Sequence, residues 1–216
     1  MKRDILLCIA VAVSVVASYA AFIAVHAERD DIYFLYVHAP TAWICYLAFS
    51  ISLIASIAFL TKRKHAYDRT AEVSATLGLV YGAIALISGS IWAKAAWGSY
   101  WNWDPRETTT LILWIAYMGY ISIKHSIGEV EKRAIIGAVY NILAFSTIPL
   151  SYLSVTLLLS LHPQTSQISK SLPVHVALYL NVIAASLFFV YLLITAFTVR
   201  SLEDRVNALI YEKGGV

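Results

Sequence analysis

Charged residues are scarce in this sequence. Asp, Glu, Lys and Arg make up 13% of its 216 residues, whereas hydrophobic residues make up 60%. An average soluble domain carries about 25% charged and about 45–50% apolar residues, so the composition excludes an ordinary water-soluble protein. It also excludes a disordered chain, because disorder needs low hydrophobicity and high net charge, and the formal net charge here is only +3.

Cysteine is almost absent as well. The only two, Cys8 and Cys45, lie in apolar runs and form no CxxC pair, which excludes a disulfide framework or a thiol motif. We interpret each as a small buried hydrophobic residue. The chain also lacks a Pro/Gly/Ser-rich linker between hydrophobic regions. We therefore expect a single integral-membrane domain over residues 1–216.

Long uncharged stretches dominate what is present. A helix that crosses a bilayer needs about 20 mainly apolar residues, whereas a strand of a membrane barrel would alternate polar and apolar residues. The sequence therefore predicts an all-α membrane protein with six transmembrane helices. These six stretches contain no Asp, Glu, Lys or Arg and cover residues 5–25, 41–60, 73–93, 108–123, 134–159 and 174–199.

The basic residues predict the orientation of these helices. Loops that remain in the cytoplasm carry an excess of Lys and Arg close to the membrane. If the N-terminus is cytoplasmic, twelve basic residues lie inside and four outside. We therefore expect both termini in the cytoplasm and the protein in the cytoplasmic (inner) membrane. Residues 1–20 resemble a secretory signal, but their apolar run is long, so we favour a retained first helix over a cleaved one.

The third predicted loop contains an unusual group of aromatic residues. Residues 97–104 read Trp-Gly-Ser-Tyr-Trp-Asn-Trp-Asp, and Trp92 precedes them. A single tryptophan near a membrane end usually belongs to the interfacial belt, but belt tryptophans are expected at both membrane interfaces. All the tryptophans of this chain fall in the outer half of the predicted topology. Segment 92–107 therefore predicts a flat apolar platform on the external face, made by Trp92, Trp97, Tyr100, Trp101 and Trp103.

The charged residues at the end of that segment can be explained by helix capping or by contact with a ligand. Asp104, Pro105 and Glu107 fit the N-cap, first and third positions of the next helix. For Asp104 and Glu107, helix capping and contact with a ligand remain open alternatives. Arg106 has no capping role, so its cation beside the aromatic platform suits an anionic group of a ligand.

The histidines divide between the two faces. Imidazole is a common metal ligand, and the company of the tryptophans favours that role for His38 and His162. A metal porphyrin would use a wide aromatic surface, an imidazole on each side of the iron, and a cation for its propionates. Lys and Arg surround His65 and His125, which predicts that these two histidines lie on solvated cytoplasmic faces. The other two external histidines are His26 and His175.

Residues 97–104 resemble, position for position, the WGxxWxWD signature of the WWD-domain family of haem-handling membrane proteins in cytochrome c biogenesis. Length and six spans are closest to the CcmC branch of that family. The resemblance implies transient binding of haem b by one histidine from each of two outer loops, matched by His38 and His162, with His175 as the rival for the second. Asp104 belongs to the signature and Arg106 follows it.

The resemblance also implies partners. The haem would pass at the periplasmic face to the haem chaperone CcmE, with the CcmAB transporter and a small CcmD-like subunit releasing the loaded chaperone. It implies no catalytic activity and no contact with nucleic acid. Two alternatives are a b-type electron-transfer protein and a haem transporter or exporter subunit. The histidines at predicted helix ends argue against the first, and spans without ionisable residues argue against the second.

Overall fold

The described part of the protein is helical throughout. The computed structural model describes residues 2–27, 33–163 and 171–214, with side chains from 3–24, 33–163 and 171–210, and no strand occurs in these ranges. The helices are α1 (Lys2–Ala27), α2 (Leu35–Lys62), α3 (His65–Trp97), α4 (Pro105–Ser126), α5 (Val130–Ala144), α6 (Thr147–Leu157) and α7 (Leu172–Gly214).

Most of these helices are suited to a bilayer. Within the described ranges, five segments are long and apolar enough to cross it: Arg3–Ala24, Leu35–Lys62, His65–Trp97, Val130–Leu157 and Leu172–Ile210. The predicted fourth span corresponds to α4, whose 22 residues would reach about 33 Å at 1.5 Å per residue, but which is less apolar. The prediction of an all-helical, multi-pass membrane protein is thus confirmed for five to six spans.

Several boundaries differ from the prediction. Helix α2 begins at Leu35 rather than at residue 41, so His38 lies inside the helix and not before it. The predicted fifth span is divided between α5 and α6. Pro149 explains the division, because proline lacks the N–H that would bond to residue 145 and its ring clashes with that carbonyl. The Phe145 carbonyl instead accepts from the Ile148 amide, at 3.0 Å. The Ser146 and Thr147 hydroxyls donate to the Leu143 and Ala144 carbonyls, at 2.7 and 2.6 Å.

The core lies between α2, α3 and α4. Its centre is a stacked pair, Phe49 of α2 on Tyr117 of α4, with ring centroids 3.5 Å apart. Cys45 is buried beside them, as predicted. The prediction was wrong for Cys8, which is exposed. Helix α1 packs on α7 through a face of alanines, and Cys8 lies two residues, or about 200° of helix rotation, before buried Ala10.

The two ends of the bundle differ in composition. The tryptophan end contains the turn between α3 and α4, and the basic end contains the turn between α2 and α3. At the basic end, Lys124 of α4 is buried, with Nζ 2.6 Å from Asp68 Oδ1 and 3.3 Å from Glu72 Oε2. Arg200 of α7 adds a second ion pair to Glu72, at 3.2 Å.

Lys124 directly follows the predicted span 108–123, where the sequence predicts a loop, but the structure buries it within α4. The helix continues two residues beyond Lys124, and the carboxylates of α3 supply the charge that makes burial of its ammonium group tolerable. The cluster lies just outside the predicted spans 73–93 and 108–123, so these two spans still contain no Asp, Glu, Lys or Arg.

Candidate functional site

A cavity of about 490 Å³ opens at the tryptophan end of the bundle. It lies between α2, α3 and α4 and is closed on one side by residues 161–163, which follow α6. Its volume falls within the range of about 300–1,000 Å³ that is typical of small-molecule sites. Apolar and aromatic side chains form most of its wall, and a small group of polar side chains projects from that wall.

His38 enters this cavity from the first turns of α2. Its Nδ1 donates a hydrogen bond to the Ala85 carbonyl of α3, at 3.0 Å, which leaves Nε2 unprotonated and available to a metal. Gly89, one turn further along α3, makes room for the ring: a Cβ there would lie 2.8 Å from His38 Cε1. Trp92 packs edge-on against the same ring, with centroids 5.9 Å apart.

His162 enters from the other side, on the segment after α6. Its Nδ1 donates to the Pro163 carbonyl at 3.0 Å, so its Nε2 is also left as the free ring nitrogen. Burial, and then the nearby charge of Arg106, hold the pKa of His162 below its usual 6.5. The imidazole is therefore neutral at pH 7, which is the form that binds a metal.

The distance between the two imidazoles can be compared with that of two ligands on one metal ion. Their ring centroids lie 6.2 Å apart, with the ring planes inclined at 49°. Two imidazole nitrogens, each about 2 Å from a metal between them, would bring the centroids to about 6 Å. Within the described ranges no group of three His, Cys, Asp or Glu side chains could hold a metal ion. A metal held by this pair would need its other ligands from elsewhere, as iron in a porphyrin has.

The tryptophan-rich segment divides into two parts. Trp92, Trp97 and Trp101 line the cavity, and the buried indole N–H of Trp92 has no hydrogen-bond partner among the described residues. Tyr100 and Trp103 lie outside the lining and are 59% and 75% exposed. The predicted platform is thus three rings around the cavity with two exposed rings beside it.

The predicted start of α4 is confirmed at two of its three positions. Asp104 accepts a hydrogen bond from the Arg106 amide at 2.8 Å as the N-cap, and Pro105 is the first residue of the helix. Glu107 does not complete a capping box, because its Oε2 accepts from the Asn102 amide at 2.9 Å. Its Oε1 is buried without a hydrogen-bond partner in the described part of the chain. Glu107 lines the cavity and Asp104 does not.

Arg106 brings a positive charge to the cavity wall. Its guanidinium donates to the Ser151 carbonyl of α6 at 2.5 Å and lies 5.7 Å from the centroid of the Tyr46 ring. Since an arginine has five N–H donors, these contacts leave others for an anionic ligand.

Sequence reasoning missed some of the lining. Ala42, Cys45 and Tyr46 face the cavity together with His38. They follow His38 by four, seven and eight residues, the spacing of one helix face. A prediction that began α2 before His38 would have found them.

Among the described residues, His175 is not part of the cavity lining. His175 donates from Nδ1 to the Ser171 carbonyl at 3.0 Å, and its ring lies 6.4 Å from that of Tyr179. Its place at the start of α7, outside the lining, favours His162 as the partner of His38. The side chain of His26 lies outside the described residues.

The sequence is similar to known membrane proteins. The family model CcmC, described as "Heme exporter protein C", matches residues 2–212. The protein of that name from Bradyrhizobium diazoefficiens is 30% identical over 182 residues, which are 81% of this chain and 68% of the relative. The one from Rhodobacter capsulatus is 34% identical over 117 residues, 51% of this chain and 48% of the relative. "Cytochrome c biogenesis protein CcsA" from Fagopyrum esculentum subsp. ancestrale is 39% identical over 106 residues, 48% of this chain and 32% of the relative.

Proposed function

We propose that this chain, which belongs to the CcmC (heme exporter protein C) family, binds haem b transiently and delivers it to the haem chaperone CcmE for cytochrome c biogenesis. The observation that carries the proposal is the pair of half-buried imidazoles, 6.2 Å apart between ring centroids, in one cavity. His38 and His162 would be the axial ligands of the iron. The chain would present its cargo to a partner and would carry out no reaction of its own.

The cavity wall supports a porphyrin as the cargo. Trp92, Trp97 and Trp101 offer aromatic faces and edges to a flat apolar ring. Arg106 supplies the cation that a propionate needs. The indole N–H of Trp92, which has no partner among the described residues, is a second donor that could bind a carboxylate.

The exposed rings suit the transfer step. Tyr100 and Trp103 lie next to the cavity but outside its lining, and we propose that they meet the chaperone when haem is handed over. Trp103 packs edge-on against Trp101, with ring centroids 5.9 Å apart. Contact of the chaperone with Trp103 would therefore also affect the position of Trp101, which lines the cavity.

The proposed orientation in the membrane follows from the distribution of Lys and Arg. The tryptophan end would face the periplasm, with both termini in the cytoplasm, because the excess of Lys and Arg lies at the basic end. The proposed partners besides CcmE are the CcmAB transporter and a small CcmD-like subunit, which would release the loaded chaperone.

Ligation is tested with single histidine variants. His38→Gly and His162→Gly should each convert a six-coordinate, low-spin haem spectrum into a five-coordinate one, and added imidazole should restore it because the glycine leaves an imidazole-sized space. His175→Gly is the matched control and should resemble wild type. An unchanged spectrum in His162→Gly together with a changed one in His175→Gly would reverse the assignment of the second ligand.

Delivery is tested by co-expression with CcmE, scored as covalent haem on the chaperone per molecule of this protein in the membrane. Trp101→Ala should retain part of the low-spin spectrum, since both axial bonds remain, while chaperone loading falls much further. Trp43→Ala is the control, because Trp43 is 57% exposed and lies outside the cavity lining. Equal chaperone loading by Trp101→Ala and wild type would show that the tryptophan cluster only anchors the protein in the membrane.

A further inference from the structure

The carboxylate of Asp104 makes more hydrogen bonds than an N-cap requires. Oδ1 accepts from the Arg106 amide, which is the cap, and also from the Ser160 hydroxyl, each at 2.8 Å. Oδ2 accepts from the Leu161 amide at 2.6 Å. The residue is 4% exposed and does not line the cavity. Its bonds are therefore directed within the protein, to a segment 56 and 57 residues later in the sequence.

That segment carries His162 and has little regular structure of its own. The Leu158 amide makes the last helical bond of α6, to the Ser154 carbonyl at 3.0 Å. Beyond it, the Leu161 and His162 amides donate to side chains, those of Asp104 and Ser160. Hydrogen bonds to an ionised carboxylate are about twice as strong as neutral ones. Asp104 therefore makes the strongest hydrogen bonds that hold this segment in place.

The bonds run in series from the carboxylate to the histidine. The His162 amide donates to Ser160 Oγ at 3.1 Å, and that hydroxyl donates in turn to Asp104 Oδ1 at 2.8 Å. A displacement of the carboxylate would therefore move the backbone of the histidine itself. His38 has a different support, the Ala85 carbonyl of α3, and would stay in place.

We propose that Asp104 is a positioning residue that ties the segment 160–162 to the start of α4 and thereby sets His162 opposite His38. The inference rests on the proposed function for its haem readout. The aspartate that ends the tryptophan-rich segment would thus serve the second ligand without touching the haem. Arg106, whose amide is bonded to the same carboxylate, would be held in register with His162.

The variant that separates this role from capping is Asp104→Ser. Serine is about as good an N-cap as aspartate, but it has one side-chain oxygen in place of two and is shorter, so it cannot also reach Leu161. We expect near-normal protein level and thermal stability, a five-coordinate haem spectrum like that of His162→Gly, and recovery with added imidazole. Asp104→Ala removes the cap as well and should also lower the protein level.

A second readout needs no haem. In the ligand-free protein, the Leu161 amide should be protected from hydrogen exchange, and Asp104→Ser should speed its exchange at least about tenfold. Ser160→Ala removes the serine link alone and should speed exchange of the His162 amide while Leu161 stays protected. If Asp104→Ser fails to accumulate, Ser160→Ala still gives both readouts.

The outcomes distinguish the two proposals. A wild-type low-spin spectrum and unchanged Leu161 exchange in Asp104→Ser would overturn the positioning role, even if His162→Gly loses the low-spin spectrum. If His162→Gly itself keeps the wild-type spectrum, the proposed ligand set fails, while the exchange measurement still decides whether Asp104 fixes the segment.

Discussion

Gly89 allows the position of His38 to be perturbed without altering a single polar group. In Gly89→Ala the new methyl group would lie 2.8 Å from His38 Cε1 and 3.0 Å from Nδ1. Ordinary van der Waals contact begins at 3.4 Å, so the ring must move away by about 0.6 Å. Ala85, whose carbonyl accepts the Nδ1 hydrogen bond at 3.0 Å, lies one turn away on α3. The same retreat therefore stretches that bond to its limit.

The cost should appear when haem binds. In the ligand-free protein the ring can swing away, but ligation would force it back against the methyl group. Overpacking of this kind costs about 1–3 kcal/mol, which corresponds to an affinity loss of about 5- to 150-fold. The helix itself should not suffer, because alanine is favoured over glycine by about 1 kcal/mol in a helix interior.

The measurement is a haem titration of purified protein, with the low-spin absorbance and the melting temperature recorded on the same samples. Gly128→Ala is the matched control, since a Cβ there meets nothing within 4 Å. Haem affinity in Gly89→Ala within twofold of wild type, with the low-spin spectrum intact, would refute the reasoning that Gly89 sets the position of His38.

Three further predictions concern stability, pH and topology. Lys124→Met should lower the free energy of unfolding by about 3 kcal/mol, because it leaves Asp68 and Glu72 without their shared cation; an unchanged denaturation midpoint would contradict this. The depressed pKa of His162 means that, below about pH 6.5, the unfolded chain binds more protons than the folded one, so stability falls as pH falls. The melting temperature of the ligand-free protein should therefore drop more between about pH 7.5 and 5.5 in wild type than in His162→Gln, and equal drops would rule out this contribution. A C-terminal reporter that is active only in the cytoplasm should be active on this chain, and activity of a periplasm-specific reporter there would reverse the orientation.

Local patterns in the sequence were sufficient for the helical membrane fold and for the start of α4. Uncharged stretches of about 20 residues predict spans whatever their neighbours are. Asp104 and Pro105 predict a helix start because capping involves residues only a few positions apart. The WGxxWxWD signature was sufficient for the family in the same way, since it lies within one short segment.

The sequence was less informative wherever a residue's environment comes from another helix. Lys124 follows an apolar stretch among other basic residues, so its sequence context predicts solvent, whereas Asp68 and Glu72 of α3 bury it. Trp101 and Trp103 are two residues apart in the same signature, but one lines the cavity and the other is exposed. The path of the backbone after α3 determines which of the two side chains lines the cavity.

The sequence by itself determined that this chain is a helical membrane protein and singled out His38 and His162 as the candidate ligands. Tertiary structure alone decided that these two rings lie 6.2 Å apart and that His175 is not part of the cavity lining. It also decided that Asp104 fixes Leu161 in addition to capping α4. The physical reason is range: helix formation and capping depend on neighbours within about four residues, whereas these contacts join residues that only the packing of separate helices brings together.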